Sequence, residues 1–121
     1  MYKLAFILSN AETFHWSDAL FLPENEVWDC HTEGLIWDPD DIEDEENERP
    51  KAAIENQFMY TLSIQCIQLI VQNARKQKQN ITEDELLEAF LFYYDNDAFI
   101  DFSNPLTDNK AYKQLTEKRN N

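Results

Sequence analysis

The sequence predicts a single α+β domain in which a small antiparallel sheet packs against two or three helices. The chain of 121 residues is long enough to bury one core, and 43% of its residues are hydrophobic. Short apolar runs bounded by turn-forming residues are mixed with longer segments of helical periodicity, which indicates both strands and helices. The single glycine, Gly34, argues against an all-β fold with many tight turns.

The first half of the chain is expected to supply one helix and most of the sheet. Apolar side chains at helical spacing predict a helix over residues 3–14. Short apolar runs predict strands at residues 19–22, 27–31 and 33–37. The acidic stretch that follows carries too much like charge to pack, so we expect a loop over residues 38–50.

The second half is expected to add a strand at residues 58–62 and helices at 64–78 and 83–95. Ser63 stands at the N-cap position of the first helix, and Thr82-Glu83-Asp84-Glu85 matches a capping box for the second. The predicted core residues of these helices are Ile67, Ile70, Val71, Leu86, Phe90 and Tyr93. The domain should span residues 1–102, and the polar tail 103–121 should form at most a weak helix.

The charge of the chain is strongly negative and unevenly distributed. The formal net charge is −14; residues 1–50 carry 14 acids and 2 bases, whereas residues 51–121 carry 10 acids and 8 bases. Such a charge argues against direct binding to nucleic-acid phosphates or to an anionic membrane. With one glycine, the chain has no glycine-rich phosphate loop. No segment resembles a signal peptide or a membrane span, so we expect a soluble, cytoplasmic protein with Cys30 and Cys66 as reduced thiols.

Neither metal binding nor catalysis is predicted. The acids from Asp38 onward superficially resemble a calcium loop, but Glu43 stands where that loop needs glycine and Arg49 where it needs a bidentate glutamate. Cys30 and His31 are neighbours, and on a strand their side chains would point to opposite faces, which excludes a nucleophilic pair. We therefore expect no catalytic residue, no metal ligand and no cofactor.

Partner binding is the function that the sequence favours, through the acidic loop. Trp37 precedes that loop and, with Trp28, is a candidate interface anchor, although core packing is the more common role of a tryptophan. Asp95 and Asp97 form a second acidic candidate at the end of the last helix, where a simple turn is the alternative. The loop carboxylates predicted to bind are those of Asp38, Asp40, Asp41, Glu43, Asp44, Glu45 and Glu46.

Several short segments also carry a resemblance to a known family. They are Trp16, Leu20-Phe21-Leu22-Pro23, Leu35-Ile36-Trp37-Asp38-Pro39-Asp40-Asp41, Leu62-Ser63-Ile64-Gln65 and Tyr93-Tyr94-Asp95-Asn96-Asp97-Ala98-Phe99. Over about residues 1–102 the chain resembles a family of small acidic bacterial proteins of unknown activity. Proteins like these occur as immunity partners of contact-dependent growth-inhibition toxins, so the resemblance implies an α+β domain and an immunity role, without catalytic residues.

The resulting hypothesis is an immunity protein that neutralises a cationic toxin domain, such as a nuclease, whose substrate-binding surface must be basic. Two alternatives remain open from the sequence. One is a nucleic-acid mimic that inhibits another enzyme, which would need acids spaced regularly along a face. The other is a small carboxylate-dependent hydrolase, which would need acids that converge on a metal ion.

Overall fold

The structure is a computed structural model that describes residues 1–41 and 50–103. Within these residues the fold is an antiparallel sheet of four strands with four α-helices, which confirms the predicted α+β class. The strands are β1 (Tyr2–Lys3), β2 (Ala19–Pro23), β3 (Glu33–Trp37) and β4 (Phe58–Ser63). The helices are α1 (Leu4–Ser9), α2 (Lys51–Glu55), α3 (Ile64–Gln77) and α4 (Glu83–Asn96).

The sheet has the strand order β1-β3-β2-β4 and separates two hydrophobic cores. Every residue of the central strand β2 is buried, because alternate side chains point to opposite faces. Leu20 and Leu22 join the main core with the buried residues of α1, α3 and α4. Ala19 and Phe21 join a smaller core with residues of α2 and β4. The sheet therefore packs against three helices on one face and against α2 on the other.

Gly34 of β3 lets α1 approach the sheet closely. A Cβ atom at this position would lie 2.8 Å from Cδ1 of Leu20 and 3.2 Å from Cδ1 of Ile7. Both leucine and isoleucine side chains are fully buried, so they have little room to move away. The one glycine of the sequence is thus required by packing in the main core.

The two long helices form as the sequence predicts, and both N-termini are capped by side chains. The Ser63 hydroxyl accepts a hydrogen bond from the backbone N–H of Cys66 at 3.2 Å. At the start of α4, the Thr82 hydroxyl accepts from the Glu85 N–H, and the Glu85 carboxylate accepts from the Thr82 N–H, each at 3.1 Å. An ion pair between Lys78 and Glu85 links the end of α3 to the start of α4. The cap interactions explain why these helix boundaries can be read from the sequence.

The predicted core is confirmed at five of its six positions. Phe90 and Ile67 are fully buried, and Leu86, Ile70 and Val71 are at most 3% exposed. The prediction is wrong for the sixth, Tyr93, which is only half-buried and packs against the edge of the main core. Its ring also packs on that of Phe99, with centroids 5.5 Å apart.

The single helix predicted for residues 3–14 is wrong. Lys3 belongs to the short strand β1, α1 ends at Ser9, and a 3₁₀ helix covers Ala11–Thr13. Asn10 interrupts the helix, since its side-chain amide donates to the carbonyl of Phe6 at 3.0 Å and its backbone leaves the helical region. A side chain that bonds to its own backbone in this way competes with the helical hydrogen bonds.

The strand predicted for residues 27–31 is also wrong, because this segment forms a loop and a turn. The Asp29 carboxylate accepts from the His31 N–H at 2.8 Å, an Asx turn that replaces strand pairing. The sequence reasoning missed β1 and α2 as well. Four loop acids, Glu43, Asp44, Glu45 and Glu46, and the weak tail helix lie outside the described residues.

Candidate protein-binding surface

The described part of the acidic loop forms a defined turn at the end of β3. The backbone N–H of Asp41 donates to the carbonyl of Asp38 at 2.9 Å, which closes a four-residue turn. The Asp38 carboxylate accepts from the backbone N–H of Asp40, also at 2.9 Å. All three aspartates are exposed. The three carboxylates are therefore presented to solvent from a hydrogen-bonded backbone.

Trp37 holds this turn against the protein. Its ring is half-buried and packs against the smaller core beside Leu35. Its indole N–H donates to the carbonyl of Asp41 at 2.6 Å, across the turn. The residue therefore contributes to packing and to the shape of the acidic turn, whereas its exposed edge remains available to a partner.

Within the described ranges, no lysine or arginine pairs with the carboxylates of Asp38, Asp40 or Asp41. Their charge is therefore not neutralised by neighbouring described side chains. Exposed carboxylates in one turn attract a cationic surface over roughly 8 Å at physiological ionic strength. We refer to Asp38, Asp40 and Asp41 together as the acidic turn.

Asp95 and Asp97 lie at the C-terminal end of α4, where the turn interpretation has more support. Asp97 is the C-cap residue, with φ of 53° in the left-handed region, and its N–H donates to the carbonyl of Tyr93 at 2.8 Å. Burial raises the pKa of Tyr93, and hydrogen bonds to Cys66 and Asp97 raise it further. Asp97 is therefore engaged in ending the helix, although it remains exposed.

The acidic turn and the end of α4 lie at the same end of the sheet. The strand register places Trp37 opposite Ala19, and Ala19 opposite Ser63, which is the N-cap of α3. Cys66 in the first turn of α3 contacts Tyr93 near the end of α4. The two acidic groups chosen from the sequence therefore share one end of the domain.

Trp28 is a packing residue. Its indole N–H donates to the carbonyl of Pro23 at 2.8 Å, and its ring meets Tyr94 edge-on with centroids 5.1 Å apart. It also packs against the main core near Phe90. With its donor satisfied and its ring half-buried, Trp28 has little area left to anchor a partner.

Cys30 and His31 do not occupy a strand, so the argument from opposite strand faces is wrong. Both side chains line the same cleft beside α1. The Cys30 thiol donates to the carboxylate of Asp84 at 3.4 Å. Burial, followed by the hydrogen bond and negative charge of Asp84, raises the pKa of Cys30 to about 11. The thiol is therefore protonated at neutral pH and is a poor nucleophile.

One family model matches the chain over residues 1–102, namely DUF7716, a domain of unknown function. The chain belongs to this family. No curated protein and no solved structure matches it. The DUF7716 match covers every element of the described fold but assigns neither an activity nor a partner.

In the described part of this DUF7716 protein, no group of three or more His, Cys, Asp and Glu side chains is placed to hold a metal ion. Across the same residues, no helix is long and apolar enough to cross a bilayer. Cys30 and Cys66 are both free thiols.

Sequence reasoning missed an exposed aromatic group on the DUF7716 domain. Phe6 is 48% exposed and stacks on Tyr2, with ring centroids 5.6 Å apart. Phe14 meets the edge of the Tyr2 ring at 5.2 Å, and Trp16 is 58% exposed nearby in sequence. The sequence did contain a signal for the exposure of Phe6. The buried residues of α1 form one stripe that includes Leu4, and Phe6 falls outside that stripe. A single exposed apolar residue is common, but a contiguous group of exposed apolar side chains marks a candidate interaction surface.

Proposed function

We propose that this DUF7716 protein neutralises a cationic protein by covering its positively charged surface, and that it does so in the cytoplasm as an immunity protein. The partner class, a toxin domain that acts on nucleic acid, follows from the family resemblance and from the charge. An enzyme that binds nucleic-acid phosphates needs a basic surface. A protein with a net charge of −14 is complementary to such a surface.

The observation that carries the proposal is the acidic turn. Its backbone is held by the hydrogen bonds within residues 38–41 and by the indole of Trp37, so the carboxylates need little further ordering when a partner binds. The three side chains are exposed and lack a described cationic partner. Exposed charges of this kind act mainly on the rate of association and on the choice of partner.

A binding role, rather than a catalytic one, is the better supported alternative. The most plausible nucleophile, Cys30, has a pKa raised to about 11, opposite to the shift that activates a thiol. A hydrolase that uses carboxylates and a metal ion would need convergent ligands, and the described residues provide none. A nucleic-acid mimic would need a long regular row of acids, whereas here they are concentrated in turns.

The first test concerns the gene neighbourhood and growth. We expect a large secreted toxin gene directly upstream of the gene for this chain. Cells that express the toxic domain of that protein should grow only when this chain is co-expressed. Growth arrest that the chain does not relieve would contradict the immunity role.

The second test measures association of the chain with that toxin domain by stopped-flow fluorescence. The variant carries Asp38→Asn, Asp40→Asn and Asp41→Asn, because an asparagine at position 38 can still accept the turn hydrogen bond. The matched control carries Glu12→Gln, Glu26→Gln and Glu55→Gln, which removes the same charge from other exposed positions. We expect association of the turn variant to slow by about tenfold at low salt, with a much smaller effect in the control.

Added salt should reduce the difference between the turn variant and the wild type, because exposed charges are screened over roughly 8 Å at physiological ionic strength. Dissociation should change less than association. Equal association rates for the turn variant and the matched control would show that net charge, and not the acidic turn, attracts the partner.

A further inference from the structure

A cleft lies at the end of the sheet opposite to the acidic turn. It is formed by α1, the turn that contains Cys30 and His31, and the first residue of α4, Glu83. Its volume is about 290 Å³, and most of its lining is apolar. Lys3 contributes to its lining and lies opposite Glu33, the first residue of β3, in the register of β1 and β3. The acidic turn follows the last residue of β3.

The exposed aromatic cluster forms one wall of this cleft. Phe6 lines the cleft and is 48% exposed, and the ring of Tyr2 stacks on it with an interplanar angle of 9°. Phe14 contacts the Tyr2 ring edge-on and fixes its position. An exposed aromatic face held in place attracts a guanidinium or ammonium group, and its apolar surface suits the methylene stem of a long side chain.

Three carboxylates belong to the lining of the cleft or lie next to one of its lining residues. Glu83 lines it and is exposed. Asp84 accepts the thiol hydrogen bond from Cys30, which is itself a lining residue, and Asp29 precedes Cys30 in the chain. The negative charges of all three acids reach the Cys30 thiol, since each contributes to its raised pKa. Two cations lie nearby, Lys3 in the lining and Arg75, which donates to the carbonyl of the lining residue Ser9 at 2.9 Å, so the three acids outnumber them by one.

We propose that this cleft receives a lysine or arginine side chain of the cationic protein partner, with the stem against Phe6 and the charged group near Glu83. This inference rests on the proposed function, because that function supplies the cationic partner. A phosphate or carboxylate ligand would be repelled by the same acids. A second copy of the chain is disfavoured as the occupant, since both copies carry a net charge of −14.

One partner can reach both the cleft and the acidic turn. The two sites adjoin opposite ends of β3, a strand of five residues, so the strand ends are about 13 Å apart. A protein interface of ordinary size buries about 800 Å² on each partner, which spans more than this distance. The cleft would therefore add a specific anchor to an interface that the acidic turn attracts.

The test is an NMR titration of the full chain, labelled with ¹⁵N, against N-acetyl-arginine methylamide. The control ligand is N-acetyl-citrulline methylamide, which has nearly the same shape but no charge. We expect the arginine ligand to shift the amide resonances of Phe6, Cys30, His31 and Glu83, with a dissociation constant on the order of 1–10 mM at low salt. The citrulline ligand should shift them much less.

Two single substitutions should act in opposite directions. Glu83→Gln should weaken binding of the arginine ligand by about threefold or more, because it removes the carboxylate that lines the cleft. Lys3→Gln should tighten binding by about twofold, because it removes the lysine in the cleft lining. Both side chains are exposed, and the spectrum of each variant reports directly whether the fold is retained.

The outcomes separate this inference from the proposed function. Shifts centred on residues 38–41 instead of the cleft would overturn the cleft assignment and leave the proposed function standing. Cleft shifts by the arginine ligand in a chain that binds no toxin domain would overturn the proposed function, and with it the protein partner. Spermidine that shifts the cleft resonances at lower concentration than the arginine ligand would overturn the side-chain occupant in favour of a free polyamine.

Discussion

The two halves of the chain differ far more in charge than in burial. Residues 1–50 have a net charge of −12 and residues 51–121 a net charge of −2. Yet both halves supply fully buried side chains, such as Leu8 and Leu20 from the first and Ile67 and Phe90 from the second. Most of the described acids of the first half lie in the turns and loops between its strands and helices, as Asp29, Asp38 and Asp40 do. A strongly acidic half of a sequence can thus contribute strands, helices and buried side chains to a shared core.

The halves also differ in how their elements end. The helices of the second half begin at the side-chain caps Ser63 and Thr82 and run for 14 residues each. In the first half, α1 has six residues and no side-chain cap, and it is fixed by packing against the sheet. We therefore expect local substitutions to matter most for stability in the second half, except where the first half packs tightly.

The largest expected effect on stability is that of Phe90→Ala. Phe90 is fully buried in the main core, and loss of such a ring costs about 3–5 kcal/mol of unfolding free energy. The matched control is Phe99→Ala, because Phe99 is 43% exposed and should cost less than about 1 kcal/mol. Urea unfolding measures both. A loss below about 1 kcal/mol for Phe90→Ala would show that α4 is not central to the core.

The second largest effect on stability is expected at Gly34, where the first half of the chain packs tightly. Gly34→Ala adds a methyl group 2.8 Å from Cδ1 of Leu20, so we expect a loss of about 1–3 kcal/mol from overpacking. Leu20→Ala by itself creates a cavity and should also destabilise. The double variant should be more stable than the sum of the two losses implies, because the new methyl group occupies the vacated space. Strict additivity in urea unfolding would contradict this close approach of α1, β2 and β3.

A smaller effect is expected at the capping box of α4. Thr82→Ala removes the hydroxyl that accepts from the Glu85 N–H and should cost about 1 kcal/mol. Thr82→Ser keeps that hydroxyl and is the control, with a change close to zero. Thermal unfolding monitored by circular dichroism distinguishes them. Equal melting temperatures for both variants would show that tertiary packing, and not the cap, fixes the start of α4.

The smallest effect on stability is expected at Cys30, and it depends on pH. The pKa of about 11 in the folded protein lies above the ordinary thiol value of 9.0, so folding favours the protonated thiol. The contribution of this thiol to the stability of the folded protein is fully present below pH 9.0 and is lost as the pH rises towards about 11.

Iodoacetamide measures this pKa in a Cys66→Ser background, where Cys30 is the only thiol. At pH 8 the folded protein should react about a hundredfold more slowly than the same chain in urea, because its thiolate fraction is lower. Asp84→Asn removes one negative charge beside the thiol and should move the midpoint of reaction to lower pH. An identical profile for folded and unfolded chains would show that burial and the charge of Asp84 do not act on the Cys30 thiol.

Local sequence determined α3, α4 and the positions at which they begin. The apolar periodicity and the capping residues are both local patterns, so they can be recognised without knowledge of the rest of the fold. The strands around Leu20 and Leu35 were also readable, since short apolar runs between turn residues are typical of buried strands. The sequence also predicted that the residues of the acidic turn lie outside the strands, because a run of like charges resists burial.

The tertiary structure alone decided the segment around Trp28 and the cleft. The apolar composition of residues 27–31 favours a strand, but the Asx turn at Asp29 and the hydrogen bond from Trp28 to Pro23 prevent pairing. The cleft joins Lys3, Cys30 and Glu83, which no local pattern relates to one another. These residues meet because β1 pairs with β3 and because α4 packs against α1, and both arrangements depend on contacts between distant parts of the chain. Local interactions set where an element begins, whereas burial of the shared core sets which elements become neighbours.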